Sequence, residues 1–150
     1  MRFCDECKPD APVKPSRWER AKNDPIMAQF STTRWARFRQ PVIQQCPMCA
    51  ECHITTSAVA DHKIPARLIV RVCRWLKLFP LDRWGGFYIR ANMQGLSHSC
   101  HNKKTKVEDT QDWTDELIRV LGPFMRDKGI ADDQQRERIV EAAASAPLAV

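Results

Sequence analysis

The sequence predicts a small α+β domain with helices flanking a cysteine-rich centre. Three observations predict it. A chain of 150 residues normally builds one domain around one core. Three cysteines crowd into CPMCAEC at residues 46–52, a spacing that suits metal ligands or buried thiols. Apolar residues recur at helical spacing in several stretches, with short strand-like segments between them.

Composition narrows the class. No run is long and apolar enough to cross a bilayer. The opening MRFCDECKPD carries charges where a signal peptide needs an apolar core, so a cytoplasmic protein without a membrane partner is expected. Seven cysteines in a reducing compartment read as metal ligands or buried thiols, and the odd count agrees. The net charge of +6 is unevenly spread. Residues 1–106 hold 19 Lys and Arg against 8 Asp and Glu, a balance of +11; residues 107–150 hold 5 against 10, a balance of −5. The basic part carries all the motifs and suits nucleic acid.

In order along the chain, residues 1–30 read as a loosely ordered arm, because Pro9, Pro12, Pro15 and Pro25 interrupt regular structure. Cys4 and Cys7 are either half of a second metal site or free thiols, and Trp18 is expected to dock the arm on the core. Ser31, Thr32 and Thr33 suit a helix cap. The helix after them places Trp35, Phe38 and Val42 near one face and should kink or end at Pro41. After Pro65 an amphipathic helix sets Ile69, Val72, Cys73 and Leu76 opposite Arg67, Arg71, Arg74 and Lys77. That basic stripe is either a solvated face or a contact for the DNA backbone. Residues 82–86 form a turn and residues 87–89 a short strand. A helix over 112–121 should stop at Gly122-Pro123. Asp132 or Asp133 caps a last helix through Ala144, and the tail SAPLAV frays.

The chemistry gathers in two stretches: ADHKIP at residues 60–65 and NMQGLSHSCHNKKT at residues 92–105. Together with the CPMCAEC knuckle they resemble the phage and prophage HNH endonucleases over roughly residues 31–106. The name-giving positions are His62, Asn92 and His101. The resemblance implies a ββα-metal core, also called the His-Me finger, in which two strands and a helix clasp one divalent ion. The helix after Pro65 is then an insertion and residues 107–150 an acidic helical extension.

Cutting a phosphodiester needs a base for water and a Lewis acid for the developing charge. By resemblance, His62 is the general base, Asp61 and His101 hold Mg, Mn, Ni or Zn, and Asn92 ties the loop between the second strand and the helix. If the Asp61-His62 stretch is a strand, the two side chains point to opposite faces unless the backbone turns there. Lys103, Lys104 and Lys106 follow His101 and suit phosphate contacts. The family also implies a structural zinc. Cys49, Cys52 and Cys100 match it, but Ser97 stands at the expected fourth position. Cys46 is the favoured replacement, His98 the alternate, and His53 a further neighbour; loss of the zinc is the opposite outcome.

The expectation is metal-dependent hydrolysis of DNA, double-stranded, in a bacterial host cell. The alternative is a non-catalytic zinc-stabilised DNA-binding module. The acidic helices of residues 107–150 offer a surface for a phage packaging motor or another protein partner.

Overall fold

The computed structural model describes residues 15–145. The Cys4–Cys7 pair and residues 146–150 lie outside them. Seven α-helices and one two-stranded sheet are formed among the described residues: α1 Arg17–Asn23, α2 Pro25–Gln29, α3 Thr33–Gln45, β1 Val59–His62, α4 Ala66–Trp75, β2 Met93–Leu96, α5 His98–Val107, α6 Thr114–Asp127 and α7 Asp132–Ser145. This is a small α+β fold. No helix among the described residues is long and apolar enough to cross a membrane.

The expected loose arm is helical from Arg17 onward. Ser16 and Glu19 close a capping box on α1, and Asp24 accepts from Ile26 and Met27 to cap α2, with Pro25 at the first turn where its missing N–H costs nothing. Trp18 does not dock; it is 72% exposed. Thr32 caps α3 by accepting from the Trp35 amide at 3.0 Å.

Two helices run through prolines that were expected to kink or end the first and to stop the second. α3 continues past Pro41 and α6 past Gly122-Pro123. A mid-helix proline costs about 3 kcal/mol. Burying an aliphatic side chain contributes about 1.5–3 kcal/mol, and the residues just beyond each proline, Val42 in α3 and Met125 in α6, are buried. Both prolines are on exposed positions, where water can serve the carbonyl left unpaired.

Strands β1 and β2 pair antiparallel in the register Val59↔Leu96, Ala60↔Gly95, Asp61↔Gln94 and His62↔Met93. The strand expected at residues 87–89 is instead a 3-10 turn, Gly85–Tyr88, and the partner of β1 comes slightly later. Gly85 and Gly86 account for the turn. A Cβ on Gly86 would stand 2.9 Å from Cys73 Sγ, so the chain lies against α4 too closely for a side chain.

α4 sits between two cores. Its Val70 joins Ile26, Trp35, Val42, Ala60, Phe87 and Met93 beneath the sheet. Its Ile69, Val72 and Cys73, with Leu76 and Leu78 just after, pack against Leu117, Leu121 and Met125 of α6 and Ile139 of α7. α6 and α7 therefore complete the core around α4. Burial accounts for Cys73, whose thiol is pushed far above its ordinary range.

α4 ends in a Schellman arrangement, with Leu78 N–H donating to Cys73 O and Lys77 N–H to Arg74 O. Lys77 holds φ 52°, the left-handed region that favours glycine. Lys77→Gly should therefore stabilise the protein by about 1 kcal/mol in denaturant unfolding. An unchanged or lower midpoint would show that the Lys77 side chain makes a compensating contribution.

Candidate functional site

Asn92 is fully buried, and both its amide oxygen and its amide nitrogen bond within the chain. Oδ1 accepts from Ile64 N–H at 2.8 Å, and Nδ2 donates to Ile64 O at 3.1 Å. Asn92 O also accepts from Lys63 N–H at 2.7 Å. The expected loop between the second strand and the helix is not the one it ties. It joins the exit of β1 to the entry of β2.

The pairing of β1 continues through His62, so its side chains alternate without interruption. His62 turns inward and is 4% exposed. Its ring stacks on Trp35 at 5.5 Å and 12°, and meets Phe87 and Phe30 edge-on. Its Nε2 lies 2.9 Å from Phe87 O. A carbonyl oxygen can only accept, so Nε2 carries the proton and Nδ1 keeps the lone pair. Burial pushes the imidazole below its ordinary range, although the Phe87 carbonyl and Asp61 oppose that shift.

Asp61 turns the other way and meets α5. Its Oδ1 lies 3.6 Å from His101 Nε2. Its Oδ2 accepts from Gln94 Nε2 at 3.0 Å and pairs with Lys104 Nζ at 3.2 Å. Lys104 in turn reaches Glu108 Oε2 at 2.8 Å. Strand and helix thus bring together two residues forty positions apart, one anionic and one with an imidazole nitrogen. Two ligands bound at about 2.1 Å to one ion stand roughly 3.0–3.5 Å apart, and this pair stands just beyond that spacing.

α5 begins at His98, and Ser97 is its cap, accepting from Cys100 N–H at 3.2 Å. This explains a serine where a fourth cysteine was expected: it serves the helix terminus. The knuckle folds back as a tight loop, with Cys49 N–H donating to Thr55 O and Ala50 N–H to Gly95 O. Gly95 is required there, since a Cβ would lie 2.5 Å from Ser57 Oγ and 2.9 Å from Cys46 O.

Cys49, Cys52 and Cys100 converge, with sulfurs all within 4.8 Å of one another. Tetrahedral bonding at about 2.3 Å puts thiolates roughly 3.8 Å apart, so this trio could hold a metal ion. Among the described residues it is the one group of three or more such ligands that converges. Cys46 and His98 do not join it; Cys46 closes α3, and His98 is exposed at the start of α5. Backbone N–H groups of Cys52 and Ser97 lower the Cys49 thiol to about 6, and the Thr55 hydroxyl lowers Cys52. Ser97 also favours the Cys100 thiolate, but burial and the neighbouring thiols outweigh it, and Cys100 is raised. The Cys49 thiol is thus biased toward the thiolate, the form that binds metal.

The α4 arginines, expected on a solvated face or a DNA backbone, are engaged within the fold. Arg67 pairs with Asp24. Arg71 donates to Ala143 O at 3.2 Å, and Arg74 donates to Arg83 O at 3.1 Å while lying over Trp84. They fasten α4 to its neighbours. Lys103 and Lys106 are exposed on α5. Sequence reasoning missed Gln94, Glu108 and Trp113. Gln94 could have been found as the cross-strand partner of Asp61 once the register was known, and Glu108 from its i,i+4 spacing to Lys104. A groove of about 780 Å³ opens between α5 and α6, lined by Lys63, Gln94, Lys103, Lys104, Trp113 and Arg119 among others.

His62 makes stability depend on pH. Its folded-state affinity for protons lies below that of the unfolded chain, ordinarily 6.5. Its contribution is therefore complete above pH 6.5 and is lost as pH falls below that value. His62→Gln keeps an N–H for Phe87 O. Unfolding midpoints between pH 7 and 5 should fall more steeply for the wild type than for His62→Gln. Parallel slopes would show that His62 does not titrate against burial.

The chain matches no protein-family model, no curated protein and no solved structure.

Proposed function

We propose that the chain is a metal-dependent endonuclease of the HNH type, hydrolysing DNA. The observation that carries this reading is the approach of Asp61 Oδ1 to His101 Nε2, 3.6 Å apart, beside the Asn92 clasp. β1, β2 and α5 then make up the ββα-metal core. Asp61 and His101 would hold a divalent ion, which would supply Lewis acidity for the scissile phosphate and the departing oxygen. His62 is the base. The Phe87 carbonyl fixes its tautomer and leaves the lone pair on Nδ1, but the ring lies on the face of β1 opposite Asp61, walled in by Trp35 and Phe87, so taking a proton from water requires that packing to open. Exposed Lys103 and Lys106 on α5 hold the backbone of the substrate without reading its sequence. Cys49, Cys52 and Cys100 would hold a structural zinc.

A non-catalytic DNA-binding module would keep the zinc and the lysines but has no use for Asp61, His62 and His101 together. Plasmid incubated with the protein and Mn²⁺ should be cleaved. His62→Ala should lose roughly 10²–10⁴ in rate while keeping metal affinity, whereas Asp61→Ala and His101→Ala should lose both. Wild-type rates in His62→Ala would remove it as the base, and no metal-dependent cleavage of any DNA form would leave the binding module in place.

Elemental analysis should find about one zinc per chain. Cys49→Ser and Cys100→Ser should lose it together with much of the thermal stability. A folded wild type without zinc would end the structural-zinc reading and leave the trio as buried thiols.

A further inference from the structure

Lys104 places its charge against two carboxylates at once. Its Nζ is 3.2 Å from Asp61 Oδ2 and 2.8 Å from Glu108 Oε2, and all three side chains are largely covered, at 17%, 12% and 22% exposure. Asp61 divides its two oxygens. Oδ2 takes the ammonium and the Gln94 amide, while Oδ1 faces His101. Gln94 alone would keep Asp61 oriented if Lys104 were neutral. The charge of Lys104, rather than its hydrogen bond, is therefore its distinctive contribution.

We propose that Lys104 is a tethered counter-cation that sets the affinity of the Asp61–His101 pair for a divalent cation, with Glu108 as the carboxylate that draws the ammonium away from Asp61. This rests on reading that pair as a cation centre. Lys104 and a divalent ion share one carboxylate charge and repel each other across it. Glu108 sits one helical turn after Lys104 and makes the shorter contact. It weakens the hold of Lys104 on Asp61 and so favours the ion, although it is not itself a ligand. Lys104 is a positioning residue in this scheme. It keeps the two carboxylates paired and holds cation affinity down to an exchangeable level.

The test is Mn²⁺ binding to the full chain, followed by the electron paramagnetic resonance of free Mn²⁺, with Asp61→Asn defining binding at this pair. Mn²⁺ prefers oxygen and nitrogen to thiolates, so the cysteine trio does not intrude. Lys104→Gln should tighten binding roughly tenfold, the scale of a close charge-pair coupling. Lys104→Arg should stay within about threefold of the wild type. Glu108→Gln should weaken binding in the wild type and have no effect in a Lys104→Gln background. Equal affinities for wild type and Lys104→Gln would overturn the proposal and leave the cation centre standing. A Glu108→Gln loss that persists without Lys104 would show that Glu108 acts on the ion directly rather than through Lys104, and would overturn its assigned role. Binding by Lys104→Gln alone would support the proposal in its strongest form. No Mn²⁺ binding by either protein would overturn both the proposal and the cation centre. Circular dichroism of each variant separates these outcomes from misfolding.

Discussion

The hydrogen-bonded clasp between Asn92 and Ile64 fixes the geometry on which the site depends. A buried side-chain amide left unpaired costs about 1–3 kcal/mol. Both of its groups are satisfied here by one backbone residue. The clasp imitates one further rung of a strand ladder where the sheet has already ended. It holds the turn at residues 63–65 against the start of β2, and so fixes the register in which Asp61 faces Gln94. A slip of one residue would exchange the faces of Asp61 and His62.

From that register the division of labour follows. Asp61, on the open face, reaches α5, whose first turn is capped by Ser97 and whose next residues bring His101 and Lys104 to it. His62, on the closed face, is walled in by Trp35 and Phe87. Two adjacent residues thus occupy opposite electrostatic environments. One is a carboxylate among donors, and the other is an imidazole kept neutral by burial. The thiol trio joins the knuckle to the first turn of α5, so a metal held there would fasten the same helix that carries His101.

α4 gives this small sheet its support. A two-stranded sheet alone is marginal in water. The helix covers it from one side with Val70 and turns its other apolar face to α6 and α7. Its arginines close onto Asp24, Ala143 and Arg83, fastening the helix to segments before and after it in the chain.

Much was legible in the sequence because it depends on local pattern. Periodicity identified α4 with its buried face, the Thr32 cap marked the start of α3, and the cysteine spacing marked three thiols that converge. The α+β class followed from these features. Other outcomes depended on energies that only packing supplies. Pro41 and Pro123 lie inside helices because buried neighbours beyond them offset a lost hydrogen bond. Cys46 stays outside the trio because it closes α3. The α4 arginines find partners that lie between 9 and 72 residues away in the chain. Sequence by itself determined which residue types were available to the site. Tertiary structure decided which of them meet, because strand register and helix docking set distances that no spacing along the chain encodes.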